Sequence, residues 1–268
     1  MLMDKVNFCK KYNVKIEDYE HLNSRCDFDS IKLAYAGYLK SLESIGNKIV
    51  SSLMKCDKIN SVKFRLKDPD HLIAKIIRNN IVTNSKIYRN DVKDLIGVRC
   101  LHLFKDDWIV INDYIMHEWS ASLVENPTLY RRNGDETDKP IVDYFKDKNW
   151  KIVNHPFGYR SCHYHIFDPT DTDRNIVEIQ VRTVFEEAWS EIDHQLRYPY
   201  YLEDKLLSDQ TLILNRIACI GDELATSMED IKNLPEPKPK TIKEYAQKAD
   251  IINDAKNYDK ILERDKYK

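Results

Sequence analysis

The sequence has no Cys-x-x-Cys pair. Its six cysteines stand at 9, 26, 56, 100, 162 and 219, too scattered for a zinc knuckle or a redox motif, so they read as reduced, mostly buried thiols. No apolar run approaches the length needed to cross a bilayer. Residues 1 to 13 mix charges with short apolar pieces and lack a signal-peptide pattern. A cytoplasmic protein with no membrane association is therefore expected. Repeats at solenoid periods are missing, and the only biased segment is the proline-rich Leu234 to Lys240. A charge excess of one sign is also missing: 42 Lys plus Arg against 44 Asp plus Glu give a formal net charge of −2, which ranks a generic nucleic-acid-binding domain last. A length of 268 residues suits one substantial core with helical additions, not a multidomain regulator.

What the chain does have is a local basic excess. Residues 51 to 100 carry 11 Lys plus Arg against 5 Asp plus Glu, a surplus that fits a polyphosphate pocket better than a long nucleic-acid track. Within it, Ser61 to Lys67 alternates with period two, burying Val62, Phe64 and Leu66 and projecting Lys63, Arg65 and Lys67 from one face. Asp68 and Pro69 then supply an N-cap and a first helical position, and His71, Lys75 and Arg78 follow at i, i+4 and i+7 on one helix face. A solvated basic face is the competing reading of the strand alone.

The next run weighs against that competitor. Asp94 stands at the mouth of Leu95 to Phe104, a strongly apolar stretch expected to be a central strand. Further on, Ile176 to Thr183 places Val177, Ile179 and Val181 on one face and Glu178, Gln180 and Arg182 on the other. Asp94 and Glu178 thus become two carboxylates on neighbouring strands, the ligand pattern magnesium takes when water and phosphate oxygens fill its remaining positions. Gly158 to Tyr164 adds Tyr159, Arg160 and His163. His163 and His165 form a His-x-His pair, but no third ligand at suitable spacing supports zinc, and alternation lets both share a strand face without a metal.

Four ordered motifs carry a resemblance: Arg65-Leu66-Lys67 with Lys75 and Arg78; Asp94 to Arg99; Gly158 to Ser161 with His163; and Glu178 to Thr183. Together they resemble the synthetase domain of the RelA/SpoT alarmone synthetases, over roughly residues 30 to 225. The resemblance implies an α+β fold, a mixed β-sheet flanked by helices in a nucleotidyltransferase-like domain. It implies transfer of the β,γ-pyrophosphate of ATP to the 3′-hydroxyl of GDP or GTP, with magnesium as cofactor. By similarity, Arg65 and Arg99 stack on either side of the adenine, while Lys67, Lys75 and Arg78 hold the ATP phosphates. Asp94 and Glu178 hold magnesium, and Glu178 also takes the proton of the attacking hydroxyl. Tyr159 stacks on the acceptor's base, His163 lies near the acceptor or the transferred group, and Gln180 and His194 shape the acceptor side.

The chain departs from the family pattern where many members have serine (here His71), lysine (here His155) and asparagine (here Phe157). The acceptor therefore stays open among GDP or GTP, an adenosine nucleotide, and the 3′ end of a tRNA, which some toxic relatives modify. A non-catalytic nucleotide-sensing module is the alternative from another class, and the two retained carboxylates argue against it. Each role has a packing counterpart: Tyr159 as a core aromatic, His194 as a partner of a neighbouring helix, Arg182 as half of an ion pair.

Around this core, residues 1–29 read as an N-terminal helical segment, 30–228 as the synthetase domain, 229–240 as a proline-rich linker and 241–268 as a charged helical tail. Asp27 or Asp29 opens a long amphipathic helix carrying Ile31, Tyr35, Tyr38, Leu42, Ile45, Ile49 and Leu53. Asn126 to Asn154, with Pro127, Asn133-Gly134 and Pro140, reads as a long loop holding a short strand or helix, in which Tyr130, Arg131 and Arg132 either meet the acceptor or, as the preferred reading, stand as solvated loop residues. After Thr183 and Glu186, a capping box, the residues Val184, Ala188, Trp189, Ile192 and Leu196 make an apolar helix stripe. Another helix is expected near Leu206 to Ser227. Homo-oligomerisation and an antitoxin partner are both open.

Overall fold

A computed structural model describes residues 4–132, 139–198 and 203–234. The calls on Asn133-Gly134 and on the 241–268 tail lie outside the described residues. In chain order the helices α1 (Lys5–Lys11), α2 (Ile16–Cys26) and α3 (Phe28–Leu53) precede strand β1 (Ser61–Leu66). There follow α4 (Pro69–Arg78), α5 (Tyr88–Asp91), β2 (Ile96–His102), α6 (Asp107–Trp119) and β3 (Thr128–Arg131). The chain continues through α7 (Lys139–Asp147), β4 (Lys151–Asn154), β5 (Ser161–Phe167), β6 (Ile176–Thr183), α8 (Val184–Leu196) and α9 (Lys205–Asn233). The chain forms two compact units that divide after Glu223. The first unit carries the sheet and the site; of the second, the described part runs from Leu224 to Leu234 and is helical through Asn233.

The six strands form one mixed sheet in the order β1-β2-β6-β5-β3-β4. β2 and β6 run parallel at its centre, while β1 and β5 flank them antiparallel. This is the α+β arrangement of a mixed sheet with flanking helices. The apolar faces of β2 and β6 are fully covered, with Val98, Cys100, Val177 and Ile179 all buried, which is why these strands read as apolar on at least one side. Asp27 caps α3 as expected, its carboxylate accepting from Ser30 N–H. That helix lies close on β1: a Cβ on Gly46 would come within 2.6 Å of the Phe64 ring, so only glycine permits this approach. Tyr35, fully buried on α3, donates its hydroxyl to the Lys67 carbonyl at 2.6 Å and fixes the turn that leads from β1 into α4. There Asp68 accepts from the N–H groups of Asp70 and His71, with Pro69 in the first turn. Phe8, Leu22 and Cys26 of the first two helices share the same core cluster as the sheet.

Three expectations change. The segment from 126 to 154 is not a long loop: β3, α7 and β4 lie within it, and β3 pairs with both β4 and β5. The helix near 206–227 extends to Asn233, so the proline-rich stretch begins later than residue 229. On α8 the capping box is present, but Ala188, Ile192 and Leu196 face solvent, and the buried residues are Glu187, Trp189, Ser190 and Asp193. The helix packs through a largely polar face because arginines from other elements meet it there.

Candidate active site

Residues directly opposite one another on paired strands project to the same side of the sheet. Two such rows cross the face opposite the apolar core. One row joins Lys63, Arg99, Gln180 and His163, and the next joins Arg65, Gly97, Glu178 and His165. Gly97 carries no side chain between Arg65 and Glu178, and the Arg65 stem lies over it, 3.9 Å from where a Cβ would stand. The structure thus brings Arg65, Arg99, Glu178, Gln180 and His163 together on one surface, as the alternation in the sequence implied.

At the start of β2, Asp94 sits between two ammonium groups. Lys67 Nζ and Lys75 Nζ lie 2.8 Å and 2.7 Å from Asp94 Oδ2. Lys67 arrives from the end of β1 and Lys75 from the second turn of α4, so the Asp68 cap that starts α4 also aims this lysine. Burial lowers the Lys67 pKa, and the Asp94 charge counters that only in part. Asp94 Oδ1 is itself buried and has no hydrogen-bond partner among the described residues, a costly arrangement unless something electropositive completes it. Arg78 lies at the C-terminal end of the same helix and is exposed.

Arg99 projects from β2 toward α8, where its Nη1 lies 3.0 Å from Glu187 Oε1 and also meets Glu191. These two acids sit one turn apart on α8 and hold the guanidinium from the side, while Arg65 remains exposed at the edge of the cleft. Glu187 reaches Arg182 Nη1 as well, at 3.5 Å.

Glu178 occupies the centre of a longer polar line. His163 Nδ1 lies 3.1 Å from its Oε1, and Gln180 Nε2 donates to its Oε2 at 2.7 Å. His165 Nε2 approaches Oε1 at 3.5 Å, and the other nitrogen of that ring lies 2.9 Å from Glu125, which binds Lys93. Burial opposes ionisation of Glu178, but the hydrogen bonds from His163 and His165 outweigh it and hold the carboxyl well below the usual glutamate range. Desolvation lowers the His163 pKa. On its far side, His163 Nε2 meets the Tyr159 hydroxyl at 2.8 Å. The His-x-His pair therefore holds the Glu178 carboxylate between its two rings.

Tyr159 is turned inward. Its ring lies 5.7 Å from Tyr130, 5.6 Å from His155 and 6.5 Å from Trp189, with the Arg182 guanidinium 5.3 Å from its centroid. Gly158 allows this turn: its φ is +78°, and the Asn215 amide donates to its carbonyl at 2.8 Å. Two of the atypical positions lie beside it. His155 Nδ1 accepts from the Tyr159 N–H at 3.3 Å, and Phe157 lies under the Arg197 guanidinium at 3.8 Å, which Asp193 grips through two bonds of 2.7 Å and 3.0 Å. His194, solvent-exposed on α8, packs against Tyr198. Desolvation of its ring, with the charges of Arg65 and Arg99, lowers its pKa to about 4.

Sequence reasoning missed Glu187, Glu191, Glu125 and the role of Tyr130, whose ring lies 4.6 Å from His163. Tyr130 is not a solvated loop residue, because β3 pairs with β5 and places it opposite Ser161. The acids left a faint signal, since each is a charge on a segment with apolar neighbours. Among the described residues no group of three or more His, Cys, Asp or Glu side chains converges as a metal cage. Asp94, with its unpartnered oxygen, and Glu178 have the chemistry of ligands for a magnesium ion that would take most of its other ligands from phosphate and water.

The model of a region found in RelA/SpoT proteins matches residues 64–203, just over half of the chain. The GTP pyrophosphokinase YwaC of Bacillus subtilis (strain 168) is 26% identical over 159 residues, which cover 55% of this chain and 65% of that protein. The match thus spans slightly under two thirds of that relative's length. Among solved structures, a GTP pyrophosphokinase family protein from Streptococcus pneumoniae superposes with a TM-score of 0.53 at 22% identity, covering 72% of this chain and 89% of that one. Small alarmone synthetase 1 from Bacillus subtilis, bound to its product pppGpp, gives 0.52 at 19% identity, covering 72% and 93%. At these identities the two structures share the fold of this chain.

Proposed function

Since the chain belongs to the RelA/SpoT family, we propose that it is a pyrophosphokinase that transfers the β,γ-pyrophosphate of ATP to the 3′-hydroxyl of GDP or GTP. The observation that carries this reading is two carboxylates in different settings, Asp94 clasped by Lys67 and Lys75, and Glu178 held between His163 and His165. The first cluster suits a polyphosphate and the second suits a hydroxyl that must lose its proton.

In this reading Arg65 and Arg99 take opposite faces of the adenine, and Lys67, Lys75 and Arg78 exchange their present contacts for phosphate oxygens. Bound magnesium would neutralise phosphate charge, with Asp94 and Glu178 as its protein ligands. Glu178, kept ionised by its imidazole partners, accepts the proton of the 3′-hydroxyl. The hydroxyl oxygen bonds to the β-phosphorus, the bond from that phosphorus to the α,β-bridging oxygen breaks, and AMP leaves with that oxygen. His163 steadies the carboxylate throughout, and Gln180 and Tyr159 border the acceptor, whereas His194, expected on the acceptor side, feels the charges of Arg65 and Arg99 and belongs with the adenine side.

A second acceptor reading, a tRNA 3′ end or an adenosine nucleotide, draws support from Phe157 beneath Arg197 and His155 behind Tyr159, which replace polar groups on the acceptor side. One experiment separates the readings. Purified protein is incubated with magnesium and ATP labelled on its terminal phosphate, with GDP, GTP, ADP or deacylated tRNA offered in turn. Label on GDP or GTP with matching AMP supports the alarmone synthetase, and label on tRNA alone makes the chain a translation-blocking toxin. No AMP with any acceptor would leave a nucleotide-sensing module. Asp94→Ala and Glu178→Ala are each expected to abolish AMP release, and full turnover by either would sink the assignment.

A further inference from the structure

On the reading of Glu178 as the group that receives the acceptor's proton, we infer that Glu125 is a positioning residue of the site: it fixes the His165 ring, and through that ring the Glu178 carboxylate. His165 stands directly opposite Glu178 on the paired strands β5 and β6, so the two side chains share one side of the sheet. Each ring nitrogen of His165 faces a carboxylate. Nε2 lies 3.5 Å from Glu178 Oε1, and Nδ1 lies 2.9 Å from Glu125 Oε1. The ring torsion of a histidine is soft when nothing holds it. An anchor at Nδ1 therefore decides where Nε2 points.

The backbone explains how Glu125 reaches the ring. The chain leading into β3 runs beside β5: Leu123 forms an isolated bridge with Ile166, and the Val124 N–H donates to the His165 carbonyl at 2.8 Å. Regular pairing resumes at Thr128, opposite His163. From Leu123 to Thr128 the chain takes five steps where β5 takes three, so two extra residues bulge from the ladder between them. A bulge re-aims the side chains it carries, and here it turns Glu125 toward His165. Pro127, with no N–H to give a ladder, suits the break.

The second oxygen of Glu125 accepts from Lys93 Nζ at 2.8 Å, and Lys93 immediately precedes Asp94. Glu125 thereby ties the segment carrying one proposed magnesium ligand to the strand pair carrying the other. Lys93 and Glu125 are each 43% exposed, so their ion pair adds little to stability. Removing Glu125 thus separates orientation from folding. On the far side of Glu178, His163 Nδ1 lies 3.1 Å from the same Oε1 that His165 approaches, so a displaced His165 is felt at His163.

AMP release at varied ATP reads the consequence. Glu125→Ala should lower kcat about tenfold, the scale on which groups behind a ligating carboxylate act, and leave the KM for ATP and the unfolding temperature as in wild type. Glu125→Gln, whose amide oxygen still accepts from a ring N–H, should recover most of the loss. In a His165→Leu background Glu125→Ala should have no further effect, because its path to Glu178 is already cut. Equal losses in both backgrounds would overturn the proposal. So would a raised KM for ATP at unchanged kcat, which would place the role of Glu125 at Lys93. A second readout needs no turnover: in protein isotope-labelled on its histidine nitrogens, Glu125→Ala should shift the ring-nitrogen resonances of both His165 and His163. A wild-type chain that releases no AMP with any acceptor would sink the proposed activity, and these resonances would still decide the positioning, since a His163 signal unmoved by Glu125→Ala overturns it.

Discussion

Arg99 Nη1 lies 3.0 Å from Glu187 Oε1, and the same nitrogen meets Glu191, one turn further along α8. The guanidinium proposed to cover an adenine is thus engaged by two acids of α8. Glu187 is buried at 8% side-chain exposure and also reaches Arg182, whereas Glu191 is 47% exposed. Glu187 is therefore the fixed support, and Glu191 is the competitor that adenine displaces. Glu191→Gln should lower the KM for ATP by about two- to fivefold, the scale of an exposed ion pair, with kcat nearly unchanged. Steady-state AMP release at varied ATP checks this, and a raised KM would show that Glu191 instead positions Arg99 for the nucleotide.

The same contacts explain what the sequence could and could not disclose. The faces of β1, β2 and β6 were legible because alternation is a local property: Val62, Phe64 and Leu66 pack against the core, and the intervening Lys63 and Arg65 then share one side. Asp68 and Thr183 were legible as caps for the same reason. The polar packing of α8 was not, because Glu187 becomes buried only when Arg99 and Arg182 arrive from β2 and β6; Asp193 pairs locally with Arg197, one turn further on. An apolar stripe was the natural local reading, and long-range ion pairing overrode it. Tyr130 was obscured similarly, since nothing within its own segment announces that β3 pairs beside β5.

Glu178 supplies a pH prediction. His163 and His165 keep its carboxyl ionised well below the usual glutamate range against the opposing effect of burial. Removing one imidazole leaves burial less opposed and raises the pKa. His165→Leu should therefore move the acid limb of the kcat/KM profile for AMP release upward in pH. His165→Gln, which retains an N–H donor, should move it less. Coincident profiles for wild type and His165→Leu would show that the histidine does not act through the carboxylate.

Gly158 links the aromatic cluster to α9. A Cβ at this position would lie 2.5 Å from Asn215 Oδ1, on a backbone with φ of +78°. Asn215 cannot withdraw easily, since it accepts from Arg160 and donates to the Gly158 carbonyl. Gly158→Ala should cost about 2 kcal/mol through backbone strain and displaced packing. That corresponds to a Tm lowered by about 4–8 °C for a domain of this size. Thermal unfolding measures the loss, and an unchanged Tm would mean that the turn around Gly158 relaxes freely.

Asp222, also on α9, is fully buried, and neither carboxyl oxygen has a hydrogen-bond partner among the described residues. Burial, reinforced by the nearby Glu186 charge, pushes its pKa up to about 8. In the unfolded chain it titrates near the ordinary value of about 4. Between those two values the folded protein holds a proton that the unfolded chain has released, so stability falls as pH rises across the window, by up to about 1.4 kcal/mol per pH unit. This is the reverse of a salt-bridged carboxylate, whose contribution is lost as pH falls. Asp222→Asn keeps the shape and removes the titration, so it should flatten stability between pH 5 and 8 and raise it most at the alkaline end. Denaturant unfolding of both proteins at several pH values reads this directly. If Asp222→Asn instead destabilised the protein most at pH 8, the carboxyl would have to be ionised and compensated in the folded state.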